Sequence, residues 1–272
     1  MKKTQKRILS LLLVLSMFVG LSVPGFAASS YDTAISNVMN TFSRVDDKAT
    51  TANDQTVNGR LRTVELLEII ASELDTEGKY TKNISRIMDT FRQKDSKAGS
   101  EFEQMFNAAY QAAEMLNVIV HELDKNGAFA DYADKTLDNM WNADSKTGST
   151  DDKIVIGTYY TVYMLEAVAY ALGANQKYGD QLHTIMDTFD KEDNKAQYFS
   201  YQVINGTYRT VELLEVIAEA LDKSGSYQSY IDDVMKTLHR MDNDTEHVNH
   251  KITNGCYRTV QMLEIIAYEC CP

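Results

Sequence analysis

Proline is nearly absent from this 272-residue chain: only Pro24 and Pro272 occur, so nothing between them interrupts a helix. Cysteine is scarce too. Its three copies, Cys256, Cys270 and Cys271, crowd the last stretch of sequence, so no disulfide framework holds the fold. Cys256 and Cys270 fall on one predicted helix, about 21 Å apart and beyond bridging distance. An odd count leaves a free thiol, an intermolecular bond or buried reduced cysteines as the choices. Positive charge is in deficit: 27 Lys and Arg stand against 39 Asp and Glu, for a formal net charge of −12. Nucleic acid and anionic membrane surfaces are poor partners for such a chain, because both are bound by neutralising phosphate with Lys and Arg. Cations, basic proteins and neutral glycans suit it better.

Catalytic signatures are missing as well. There is no Gly-x-Ser-x-Gly elbow, His-Glu-x-x-His, phosphate-binding Gly loop or Cys-x-x-Cys. His247 and His250, with Glu246 and Cys256 nearby, are metal ligands by type, but they fall in one loop only and lack the paired spacing of structural zinc sites. The Asp242–Glu246 acidic run lacks the Gly and Glu of a calcium loop and reads as turn residues. No cofactor is implied.

The N-terminus departs from the rest. Lys2, Lys3, Lys6 and Arg7 precede an apolar run from Ile8 to Val23, and Pro24-Gly25-Phe26-Ala27 supplies a breaker and small residues. This reads as a secretory signal peptide over 1–27, followed by a short linker, 28–30. The leader carries four basic and no acidic side chains, so its removal makes the chain still more acidic. The expected location is outside the cytoplasm, secreted or in the cell envelope, with no membrane anchor once the leader is gone.

What the chain has in abundance is repetition. Tyr208-Arg209-Thr210-Val211-Glu212-Leu213-Leu214-Glu215 has relatives beginning at Leu61, Tyr110, Tyr159 and Tyr257, and Leu67, Leu116, Leu165, Leu214 and Leu263 keep a strict 49-residue spacing. A period of this length marks a repeat architecture. The remaining body, 31–272, divides into repeats 31–79, 80–128, 129–177, 178–226 and 227–272. Each opens with a stripe such as Tyr80, Ile84, Ile87, Met88 and Phe91, spaced for one face of a helix. A connection follows whose Asp-rich start recurs while its middle does not. Asn58-Gly59, Asn205-Gly206 and Asn254-Gly255 then cap a second helix, or lie inside one that starts earlier and let helices approach closely.

The predicted fold is all-α: five helical hairpins that cannot bury their apolar faces alone, stacked as an α-solenoid. A closed α/α toroid is the alternative, because the last helix keeps Val260, Leu263, Ile266 and Ala267 without a polar cap. It must pack back on the first repeat or associate with another chain.

On a helical wheel the second helix leaves a polar stripe: Tyr110, Tyr159, Tyr208 and Tyr257, with Glu65, Glu114, Glu166, Glu212, Glu215 and Glu264. As a solvated face it needs no function. As a recognition face it offers tyrosine contact area beside carboxylates, suited to a protein segment, basic ones included, or a hydroxyl-rich glycan. The functional expectation is a secreted, non-catalytic repeat scaffold binding a protein or glycan through that stripe and the variable loops. A carbohydrate-active toroid enzyme using the glutamates, and a weak metal or calcium binder, are the alternatives.

Overall fold

The computed structural model describes residues 30–270, so the predicted leader and Cys271 lie outside the described residues. Ten helices and no strands make up the described chain. They are α1 (Ser30–Asp46), α2 (Ala52–Leu74), α3 (Thr81–Lys97), α4 (Glu101–Leu123), α5 (Ala130–Asp144), α6 (Thr150–Ala171), α7 (Asn175–Asp193), α8 (Phe199–Leu221), α9 (Gln228–Asp244) and α10 (Val248–Cys270). Tyr31–Pro272 forms one compact unit.

Even-numbered helices are inner and odd-numbered helices outer. Leu66 and Leu213 are buried on one side of α2 and α8 while Val64 and Val211 are buried on the other, as for a helix buried all round. The outer helices are amphipathic and bury only stripes such as Ile84, Ile87, Met88 and Phe91. Each of α3, α5, α7 and α9 packs on the inner helix that follows it and also on the one that precedes it.

The two connections differ. From inner to outer helix the chain turns tightly: Asp75, Asp124 and Asp222 accept the backbone N–H of Tyr80, Phe129 and Tyr227. Gly78, Gly127 and Gly225 take φ near +70° there, a conformation that costs glycine nothing. From outer to inner helix the loops diverge in sequence. Thr51, Ser100 and Ser149 each cap an inner helix by accepting from the backbone N–H three residues on.

Asn58, Asn205 and Asn254 are not caps. The inner helices begin earlier, and these amides sit inside them, donating to the carbonyls of Phe42, Phe189 and Leu238 at 2.8–2.9 Å. The aspartates at the ends of the outer helices also do more than end a turn. Asp46, Asp95 and Asp193 accept from Gln55, Gln104 and Gln202 of the next inner helix at 2.9–3.0 Å.

An open stack keeps its first and last repeats apart, and here the structure differs from the leading expectation. α10 packs against α2 as α2 does against α4, so the inner helices form a closed circuit of contacts. The Thr56 and Thr253 hydroxyls share a hydrogen bond of 2.9 Å, and Thr253 donates to the Ala52 carbonyl. Phe42 of α1 meets Tyr257 of α10 edge-on at 4.9 Å, the geometry of Tyr159 and Phe189 at 4.7 Å. Val260, Leu263, Ile266 and Ala267, expected to pack back on the first repeat or against another chain, are 0–4% exposed within this one.

Closure has a direct readout in Cys256, which is 4% exposed against Gly59 of α2. In a Cys270→Ser/Cys271→Ser background, Cys256 is expected to resist a thiol reagent until the protein unfolds. Gly59→Leu should wedge α2 from α10 and expose it to rapid labelling. Labelling of the parent at the rate of a free thiol would show that the first and last inner helices do not meet.

Candidate functional site

The tyrosine and glutamate stripe is not an open face. Tyr110 and Tyr208 are 1% and 9% exposed, and Tyr159 and Tyr257 are half-buried. The stripe lies about 80–140° round each helix from the ring axis, which is where the following outer helix docks. Tyr110 and Tyr208 donate to Asp144 and Asp242 at 2.9 and 2.8 Å, and Tyr159 donates to Asp193. Burial and the neighbouring carboxylates push these phenols well above their ordinary pKa.

Three of the glutamates instead meet the outer helix that precedes their own inner helix. Glu114 and Glu264 are buried, while Glu65, Glu166, Glu212 and Glu215 are half-buried. Glu65 and Glu212 pair with Arg62 and Arg209 on their own helices, both at 3.1 Å. Glu114 meets Arg86 of α3 at 3.4 Å. Glu166 and Glu264 accept from Tyr132 and Tyr230 of the outer layer. Closure therefore does not gather these carboxylates round the axis. They point away from it.

The axis itself is filled. Val57, Met105, Ile154 and Val203 form one cluster with Ile252, drawing on all five inner helices. Arg60 lies one turn below, donating to the Met105 carbonyl at 3.3 Å and across the ring to Thr158 of α6 at 3.1 Å. On the same stripe Val64, Ala113, Val162, Val211 and Val260 are completely buried.

His247 and His250 are exposed and ring to ring at 5.4 Å. Cys256 is turned inward to Gly59, away from them. Among the described residues no group of three potential metal ligands occurs.

What the structure does bring together is at the loop end, where outer helices pass to inner ones. Among the described residues the exposed large apolar side chains are Val45, Phe102, Tyr198, Phe199, Tyr201 and Met241, all at that end, and Tyr132 elsewhere. Tyr198 and Tyr201 are 64% and 51% exposed, with rings 6.2 Å apart at the start of α8. Beside α3 and α5 the same end opens a groove of about 380 Å³, walled by Phe106, Tyr110 and Trp141 and edged by Lys94, Lys97 and Lys153. Lys94 lies over the Trp141 ring and Lys153 over Phe106, each at 5.4 Å.

These residues escaped a reading built on the repeat because they do not repeat. Trp141, the only tryptophan, stands where the other repeats have Ser43, Arg92, Asp190 and His239. The signal was there as a departure from the pattern. Comparison with protein-family models, curated proteins and solved structures finds no match.

The seam carboxylates have a measurable consequence. Burial raises Glu264, and burial with Glu219, Glu212 and Asp232 raises Glu215, each to about 7. Between the ordinary glutamate pKa and about 7 the folded chain therefore holds more protons than the unfolded one. Stability contributed by these protonated groups is complete at low pH and is lost as pH rises through about 7. Glu264→Gln is expected to raise the melting temperature at pH 8 and leave it nearly unchanged at pH 4.5. An equal shift at both pH values would contradict the assignment.

Proposed function

We propose that this chain is a secreted, non-catalytic binding scaffold. Five helical-hairpin repeats, 31–272, close into a ring that presents its loop end to a protein or glycan partner, and a leader over 1–27 carries the chain out of the cytoplasm. The observation that carries the reading is the coincidence of two distributions. Sequence diverges between repeats at the outer-to-inner loops, and nearly all exposed large apolar side chains among the described residues are at that same end. Residues on loops held by a rigid scaffold are free to vary for recognition, and clustered exposed aromatics mark interaction sites.

The tyrosine and glutamate stripe retains a part in this reading as the rivet between layers rather than the contact face. The toroid-enzyme alternative gains the closed circuit but loses its acid and base. An acid–base pair for glycoside chemistry needs two carboxyls facing a common substrate space, and these carboxylates are engaged in the seams. Partners stay within the classes the acidic composition favours, away from nucleic acid. Among the described residues one helix, Thr150–Ala171, is long and apolar enough to cross a bilayer. It is α6, packed between α4 and α8, which favours a core role over a span.

The test separates contact residues from rivets. Tyr198→Ala/Tyr201→Ala is expected to leave the melting temperature unchanged while abolishing retention of partners from extracellular fractions and of glycans on an array. Tyr208→Ala should destabilise by about 3–5 kcal/mol, as for truncation of a buried large aromatic. Unaltered binding by the double variant would sink the loop-end assignment.

A further inference from the structure

The groove beside Trp141 carries a more specific reading, which relies on the loop-end assignment only for its location. Its volume, about 380 Å³, is in the range of small-molecule sites. Two features set it apart from the corresponding places in the other repeats.

The first is Asn107. Its equivalents Asn58, Asn205 and Asn254 each donate to the carbonyl sixteen residues earlier. Asn107 is 7% exposed and lines the groove, yet its side chain has no hydrogen-bond partner among the described residues. Neither atom of that amide is sealed from solvent, so its donor and acceptor stay open to the groove and together suit a hydroxyl-bearing ligand.

The second is charge. In a chain with a formal charge of −12, three ammonium groups converge on this groove, while its two carboxylates are already engaged. Asp144 accepts from Tyr110 and pairs with Lys153 at 3.2 Å, and Glu103 accepts from the Gly99 N–H at 2.6 Å. Lys94 and Lys97 are in no ion pair among the described residues. Lys94 rests instead over the Trp141 ring.

From these observations we propose that the groove binds a carboxylated sugar, a uronic-acid unit of a glycan. Lys94 and Lys97 take the carboxylate through charge-assisted bonds. Asn107 reads ring hydroxyls. Drawing Lys94 off the indole frees the negative face of Trp141 for the polarised C–H bonds of the pyranose. A peptide is a poorer fit, because the groove offers no sheet edge to pair with a backbone.

Trp141 is the only tryptophan, so intrinsic fluorescence reports on this site alone. Titration of the full chain with methyl β-glucuronide is expected to give a saturable change. Methyl β-glucoside should bind at least about tenfold more weakly, since one charge-assisted contact is worth that much or more. Lys94→Ala/Lys97→Ala should abolish the response to the uronide, with melting temperature as the control for folding. Asn107→Asp, which puts a negative charge in the groove, should do the same.

No saturable response, or an equal response to the neutral glycoside, overturns the proposal. So does equal competition by inorganic phosphate, which would make this a general anion site. Equal competition by a tetraglutamate peptide would make it an acidic-peptide site and overturns it as well. Failure here is distinguishable from failure of the loop-end reading, because Tyr198 and Tyr201 are not in the groove.

Discussion

Five helices can close on themselves only if each comes near enough to the next, and a glycine on four of the five inner helices governs that distance. A Cβ on Gly157, Gly206 or Gly255 would come within 2.5–2.7 Å of Ala109, Thr158 or Thr207 on the preceding inner helix. Gly59 makes the corresponding approach to Cys256, at 3.0 Å, which carries the pattern across the seam between α2 and α10. Helix axes about 8–10 Å apart place five of them roughly 7–8 Å from a common axis. A helix with its side chains reaches about 5–6 Å from its own axis. What is left at the centre has room for small side chains only. Val64, Ala113, Val162, Val211 and Val260 are small, as are Ala71, Val120, Ala169, Ala218 and Ala267, and all are fully buried.

Once the inner helices are that close, their flanks diverge outward and the outer helices settle into the grooves between them. That geometry explains where sequence reading succeeded and where it failed. Helix identity and the apolar stripes of the outer helices were legible, because each depends on spacing along one chain segment. The face of the stripe with Tyr208, Glu212 and Glu215 was not. A wheel drawn for one helix cannot register that outer helices flank it on both sides, so residues 80–140° from the axis look solvated when they are seam residues. The tyrosines are well chosen for a seam, with an apolar ring to bury and a hydroxyl to reach an aspartate at its edge. Closure was half legible. The uncapped last helix announced a missing partner, but only the structure identifies it as α2.

Residues that break the repeat carry a different kind of information. Arg60 stands where the other repeats have Ala109, Thr158, Thr207 and Cys256, and it is the one side chain seen to hydrogen-bond across the ring. Its two terminal nitrogens donate to a carbonyl and a hydroxyl while Nε has no partner, and these bonds tie the α2, α4 and α6 segments together beneath the apolar plug. Trp141 and Asn107 break the pattern at the loop end instead. Packing constraints are shared by all five repeats, so a residue found in one alone answers to something else.

The electrostatics of the two ends sharpen that contrast. The inner helices all start at the loop end, so the positive ends of their dipoles gather there. Asp54, Glu103 and Asp152 in their first turns offset this, and each also helps close its own loop. Lysines near the start of an inner helix are unfavourable unless something negative compensates them. Lys251, near the start of α10, pairs with Asp242 at 2.8 Å, and Lys153 of α6 pairs with Asp144. Lys94 and Lys97 are placed differently: they stand in the last turn of α3, where an outer helix brings the negative end of its dipole to the same end of the molecule. The fold therefore tolerates two ammonium groups there without an ion pair, and they stay available to an anion beside the only tryptophan.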